Sequence, residues 1–231
     1  MSSKALIFDV DGTLVDSVDL HAQAWQDGFR EFGKEVGFAE ARSQIGKGSD
    51  TLLPAFLNQD ELAEFGEALT KRRGEIFKER YLDQVKPFPQ VRELFEHLRR
   101  EHWKVALASS GKADEVEYHQ KLLGIKDLVD VATSSADAEK SKPHPDIFAA
   151  ALGKLELPSK EEIVVIGDTP YDVEAAGKAG LRTLAVRCGG FAEEELRKAG
   201  AVGIYQDPAD LLARYEEWSQ AVLTGGKKVS G

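Results

Sequence analysis

Cysteine is almost absent from this sequence: among 231 residues there is one, Cys188. No disulfide can form within the chain, which excludes the stapled scaffolds of small secreted domains and fits a reducing cytoplasm. Long apolar runs are missing too. The first, Ala5-Leu6-Ile7-Phe8, is broken at once by Asp9. It is too short for a signal-peptide core, and no run approaches the roughly 20 apolar residues that span a bilayer. Positive charge is scarce: 30 Lys and Arg stand against 40 Asp and Glu, a net charge of −10. A field of that sign repels nucleic-acid backbones and anionic lipid, so neither is an expected partner. A locally basic pocket could still take a small anion. Low complexity is confined to residues 224–231, expected to be a flexible tail.

What is present is a large apolar fraction, 42%, enough for a substantial core. Short β-branched runs recur at Ala5–Val10, Trp103–Ala108, Leu128–Ala132, Ile163–Ile166, Thr183–Val186 and Val202–Tyr205, each bounded by turn residues. Such runs suit strands buried on both faces. Between them Val91, Leu94, Phe95 and Leu98, and later Ile147, Phe148, Ala151 and Leu155, recur at helical spacing. The alternation predicts an α/β fold, a doubly wound parallel sheet with right-handed crossovers.

One interval breaks the rhythm. More than 80 residues separate the first strand from the second, far more than one crossover needs. They show no strand pattern but two helical stripes, Val18, Ala22, Trp25, Phe29 and Phe32, then Leu62, Phe65, Leu69 and Ile76. The expectation is a helical module over 16–87 inserted into a sheet domain made of 1–15 and 88–223, its far edge marked by Lys86-Pro87-Phe88-Pro89.

Four segments carry candidate chemistry. Asp9-Val10-Asp11-Gly12-Thr13 closes the first strand with two carboxylates at i and i+2, on one side of an extended chain. Gly167-Asp168-Thr169-Pro170-Tyr171-Asp172 repeats the design after Ile163–Ile166, although Asp168 and Asp172 also read as helix caps. Ser109 and Ser110, before Gly111-Lys112, offer hydroxyls and backbone N–H groups to an anion, or an ordinary N-cap. Lys142 sits in the proline-bracketed Lys142-Pro143-His144-Pro145-Asp146, where alone it would be a solvated charge. Together, Asp9, Asp11 and Asp168 could hold a hard divalent cation, one acid could attack phosphorus while another moves a proton, and Lys142 with Ser109 could bind phosphoryl oxygens.

At these residues the sequence resembles the haloacid dehalogenase-like superfamily, from Leu6 to about Leu212, in the branch of phosphatases with a helical cap after the first strand. Phosphoglycolate phosphatases and β-phosphoglucomutase-like proteins belong to it. The resemblance implies a Rossmann-like core whose first strand is central, flanked by the strands leading to Ser109 and Asp168. It implies that Asp9 forms an aspartyl-phosphate and that Asp11 protonates the leaving alkoxide, then activates water. It further implies Mg²⁺ on the Asp9 carboxylate, the Asp11 carbonyl and Asp168, with Asp172 auxiliary. Ser109, Ser110 and Lys142 would bind the phosphoryl group, and Thr13 would support the loop. The retained Asp11 argues for phosphate esters over carbon–halogen bonds, because true dehalogenases generally lack that acid. Lys47 does not fall at the offset of the Schiff-base lysine of phosphonate-cleaving relatives.

The module would act as a cap that closes over the site and chooses the leaving group. Its candidate contacts are His21, Lys47 and Arg72, with Trp25, four residues from His21 and so on the same helix face, and the rest of Lys71-Arg72-Arg73 behind them. Trp25 reads first as cap core, and the basic run first as a solvated face. The expected activity is Mg²⁺-dependent hydrolysis of a small phosphorylated metabolite by a cytoplasmic monomer or weak dimer. The alternatives are a sugar-phosphate mutase and a non-catalytic phosphate-binding protein on the same fold.

Overall fold

The computed structural model describes residues 4–157 and 162–223, so the expected tail lies outside the described residues. The chain begins with β1 (Ala5–Phe8) and β2 (Val15–Asp16), then forms α1 (Val18–Glu31), α2 (Phe38–Ser43), α3 (Ser49–Leu52) and α4 (Gln59–Ile76). It returns through β3 (Lys86–Pro87) and α5 (Val91–Arg100) to β4 (Lys104–Ala108), α6 (Ala113–Leu123), β5 (Val131–Thr133) and α7 (Asp146–Leu155). There follow β6 (Ile163–Gly167), α8 (Pro170–Lys178), β7 (Arg182–Val186), α9 (Glu193–Ala199), β8 (Gly203–Tyr205), α10 (Pro208–Ala213) and α11 (Tyr215–Leu223).

Six of these strands form one parallel sheet in the order β5-β4-β1-β6-β7-β8. The expected α/β doubly wound fold is therefore present, with β1 between the strands that lead to Ser109 and Asp168. Alternation along the strands explains why both faces are apolar. Leu6, Phe8, Val105, Leu107, Val164 and Ile166 point to one side, where they meet Leu94, Phe95 and Trp218. Ala5, Ile7, Ala106, Ala108, Ile163 and Val165 point to the other, against Ile147, Phe148, Ala151 and Ala175. The winding direction reverses at β1, which opens a crevice at the carboxyl ends of β1, β4 and β6.

The helices between β2 and β3 have a cluster of their own, including Val18, Ala22, Trp25, Phe29, Ile45, Leu52 and Leu69. α4 starts on a capping box in which Asn58 accepts from the N–H of Glu61 and Glu61 accepts from the N–H of Asn58. Two details depart from expectation. The interval expected to lack strands contains a short antiparallel ribbon, with Val15 opposite Pro87 and Asp16 opposite Lys86. The strand expected at Leu128–Ala132 begins only at Val131. Leu128 closes a turn through its N–H to the Ile125 carbonyl, and the N–H of Asp130 donates to the Val105 carbonyl while its carboxylate accepts from the Val105 N–H. Among the described residues no helix is long and apolar enough to cross a membrane.

Candidate active site

Asp9 follows β1 directly, its N–H bonded to the Ile166 carbonyl of β6 at 2.8 Å. The chain then folds back, with the N–H of Leu14 on Val10 O and that of Gly12 on Val15 O. Gly12 has φ +83°, and a Cβ there would stand 2.4 Å from Asp168 Oδ2. Only glycine allows the loop after β1 to press against the loop after β6. Gly189, beyond β7, closes from the other side: a Cβ on it would lie 1.7 Å from the same oxygen.

Asp9, Asp168 and Asp172 bring carboxylate oxygens within 4.8 Å of one another, all buried. The hydroxyl of Thr13 lies 3.1 Å from both Asp9 Oδ2 and Asp168 Oδ1, but it has one proton to give. Asp168 Oδ2 is buried without a partner. Burial, reinforced by Asp9 and Asp172, holds the Asp168 carboxyl well above its usual range. Burial likewise lifts Asp9 to about 7, with Lys142 opposing and Asp172 and Asp11 adding to the rise.

The cation facing this group is Lys142, fully buried. Its ammonium contacts Asp9 Oδ1, pairs with Asp172 Oδ1 at 2.8 Å and donates to the Ala108 carbonyl at 3.2 Å. Burial opposes its charge, but Asp172 and Asp9 hold it protonated and above the usual lysine range. Asp172 does more than cap α8. Its Oδ2 accepts from the N–H and hydroxyl of Thr169, at 3.0 and 2.6 Å, and its other oxygen serves Lys142. Three carboxylates against one ammonium leave a buried negative excess beside an orphaned oxygen. A hard divalent cation satisfies that donor set.

Asp11 is turned away from the trio. Its Oδ1 accepts from Ser17 Oγ at 2.7 Å and sits 2.9 Å from His21 Nε2. Arg73 approaches the other ring nitrogen, Nδ1. A guanidinium can only donate, so Nδ1 is the acceptor and Nε2 carries the proton given to Asp11. Burial, with Arg73 adding to it, depresses His21 despite Asp11. Burial opposes ionisation of Asp11 as well, yet His21 and Ser17 hold its carboxyl far below the usual range.

Beside Asp9 and Asp11 lies a cavity lined by His21, Trp25, Lys47, Arg73, Ser110 and Glu115, among others. The sequence candidates divide around it. Ser110 lines it, and Ser109 is buried below, its hydroxyl accepting from the Gly111 N–H at 2.9 Å. Lys47 lines it with its ammonium 4.5 Å from the centre of the Tyr171 ring. Trp25 serves both the cavity and the hydrophobic cluster of the helices between β2 and β3. Arg72 is not brought to it: Glu31 holds its guanidinium through two bonds of 2.6 and 3.0 Å, with Glu75 alongside. Its neighbour Arg73 reaches the cavity instead, and Glu115 lines it without having been singled out.

The helices α2 and α3 rest on the loops that carry the charged groups. Asp50 Oδ2 accepts from the Ser141 N–H at 3.0 Å, Thr51 Oγ1 donates to the Lys142 carbonyl at 3.0 Å, and Tyr171 donates to the Ser43 carbonyl at 2.7 Å.

Comparison with known proteins agrees with this fold. A family model described as haloacid dehalogenase-like hydrolase matches residues 6–186. Protein SUPPRESSOR OF QUENCHING 1, chloroplastic, of Arabidopsis thaliana is 35% identical over 96% of this chain, which spans only 21% of that much longer protein. A phosphorylated carbohydrates phosphatase of Thermotoga maritima is 29% identical, with 90% of this chain covering 96% of that one. The crystal structure of a hydrolase from Pseudomonas syringae superposes with a TM-score of 0.83 at 30% identity, covering 93% of this chain and 99% of that one.

Proposed function

Since the chain belongs to the haloacid dehalogenase-like hydrolases, we propose that it is a Mg²⁺-dependent phosphatase of a small phosphorylated metabolite, with Asp9 as nucleophile and Asp11 as general acid and base. The observation that carries this reading is the buried group of Asp9, Asp168 and Asp172 around a single lysine, with Asp9 lining the cavity. The phosphatase name of the Thermotoga maritima relative supports it.

An Asp9 oxygen attacks phosphorus as the bond to the leaving oxygen breaks, and the chain carries the phosphoryl group as an acyl phosphate. Lys142 steadies Asp9 and, with Ser109 and Ser110, receives the phosphoryl oxygens. Asp9 and Asp168 would hold Mg²⁺, with the Asp11 carbonyl and Asp172 in support. When bound, the ion offsets the charge between carboxylates and phosphate. Asp11 passes its proton to the leaving alkoxide, then takes one from the water that releases phosphate. Free of substrate, Asp11 is set in its base form, and the phosphate dianion arriving beside it raises its proton affinity for the first step. Its Oδ1 is occupied by Ser17 and His21, so Oδ2 makes these transfers.

The segment 16–87 acts as the cap, entering and leaving through the β2–β3 ribbon. Cys188, a free thiol, suits a reducing cytoplasm. The large exposed apolar residues among the described ones, Phe38, Leu122, Val202 and Leu223, are few, which suits a monomer or weak dimer.

The test is phosphate release from a panel of metabolite phosphate esters, with Mg²⁺ and in chelator. Turnover is expected only with the metal, and equal rates in chelator would sink the reading. Phosphorus NMR of the products separates hydrolysis from phosphoryl migration on a sugar. Mg²⁺ at about 100 times its Kd should also raise the melting temperature by roughly 5–10 °C. The Asp168→Asn variant is expected to lose that shift; a shift of full size in it would place the ion elsewhere. Thr51→Val, which removes the bond to the Lys142 carbonyl, should lower kcat/KM by about fivefold, as the loss of one hydrogen bond implies. Its melting temperature should barely move, and unchanged kinetics would show that the Lys142 loop holds itself.

A further inference from the structure

Glu115 has no place in the chemistry above. It stands in the first turn of α6, yet it is only 4% exposed and lines the cavity. Among the described residues its carboxylate has no ion pair and accepts no hydrogen bond, and its oxygens open onto the cavity, free to take a donor from a bound molecule. Its position is specific. Glu115 Oε2 and Asp11 Oδ2 lie 3.1 and 3.9 Å from the point where a Cβ on Gly111 would be. Both acids therefore front the same space, the side from which Asp11 serves the leaving oxygen.

Across that space stand donors. Arg73 of α4 packs its guanidinium against Trp25 and Phe77, 5.2 and 5.4 Å from the ring centroids, and its Nε is buried without a partner. Lys112, on the loop before α6, carries its ammonium to within 3.5 Å of where a Cβ on Gly74 would stand. Acceptors Glu115 and Asp11 thus face donors Arg73 and Lys112 with no net charge between them. A carboxylate on the leaving group would meet two acids, and an ammonium two cations. A plain alkyl group would leave Glu115 unpaired. Neighbouring hydroxyls, which donate to Glu115 and accept from Arg73, satisfy both sides.

Resting on the phosphatase reading, we infer that Glu115 reads a hydroxyl next to the scissile ester, so that the substrate is a monophosphate of a sugar or polyol. Glu115 is here a specificity-determining residue of the leaving-group site, with Arg73 as its counterpart on the cap.

The test is the ratio of kcat/KM for glycerol 3-phosphate to that for propyl phosphate, measured in one preparation each of wild type, Glu115→Gln and Glu115→Ala. Because both rates scale with the active fraction, the ratio does not depend on how much of a variant has folded. The wild-type ratio is expected to be about 100 or more, and either variant should lower it by tenfold or more. Wild type should also prefer glycerol 3-phosphate to 2-phosphoglycolate and to phosphoethanolamine. A ratio unchanged in the variants, or a wild-type preference for either charged ester, overturns the role of Glu115. Wild type that releases phosphate from none of these esters, nor from p-nitrophenyl phosphate, overturns the phosphatase reading and this inference with it.

Discussion

Asp9→Asn is expected to abolish phosphate release, by at least about a thousandfold, because the amide cannot act as the attacking carboxylate. The fold should not suffer. Lys142 keeps its pair with Asp172 and its bond to the Ala108 carbonyl. The direction of the remaining effect follows from proton linkage. Asp9 ionises near 3.8 in an ordinary setting and at about 7 in the fold, where burial disfavours its charge. The folded chain thus binds that proton more tightly, so its contribution to stability is full below about pH 4 and lost as pH rises through about 7. Asparagine carries no such loss. In chelator at pH 8 the variant should melt at or above the wild-type temperature, and wild type should weaken more between pH 4 and 7, since Asp168, also raised by burial, weakens both chains. An Asp9→Asn chain that kept its rate would remove Asp9 from the mechanism; one melting well below wild type would show the carboxylate to be structural.

Lys142→Met should be the most damaging single change. It leaves Asp9, Asp168 and Asp172 together with no cation, all buried. Removing one side of a buried charge group costs about 3–5 kcal/mol. In a chain of this size that is a fall of roughly 10 °C in chelator. Saturating Mg²⁺ should recover part of it, since the ion meets the same excess charge. Adding Asp172→Asn to Lys142→Met should recover stability without metal but leave the enzyme inactive, because nothing replaces the ammonium beside Asp9. A Lys142→Met variant that melts within about 2 °C of wild type in chelator would contradict the electrostatic account of this cluster.

Much of this molecule is legible in its sequence, for identifiable reasons. The β-branched runs suit strands buried on both faces, so the sheet could be read from them, whereas the place of β1 within it came from the family resemblance. Asp9, Asp11 and Asp168 stand where strands end and Lys142 in the loop before α7, and the fold brings these loops to one crevice. The strand at Val131 was read early because Leu128 and Val129 are apolar for a different reason: they pack under a turn. Within the run Lys71-Arg72-Arg73, Arg72 was put ahead of Arg73, but adjacent helical residues point about 100° apart, so the two do not face the same way. Nothing in Lys71-Arg72-Arg73 says which one Glu31 will claim. Glu115 was invisible for a plainer reason. An acid in the first turn of a helix is ordinary dipole chemistry, and only the cavity between α4 and the start of α6 gives it something to face.

The β2–β3 ribbon has an evolutionary consequence. Asp16 and Lys86 lie side by side, and the N–H of Phe88 reaches the Leu14 carbonyl at 3.0 Å. The outgoing and returning chains are thus about 5 Å apart. A tight turn could bridge that gap, so everything between is a detachable cassette as far as the sheet is concerned. Recombination at these two points can exchange one helical insert for another without shifting the register of β1 against its neighbours. Any insert exchanged there would still have to meet Ser141, Lys142 and Gly189, which Asp50, Thr51 and Arg42 contact in this chain.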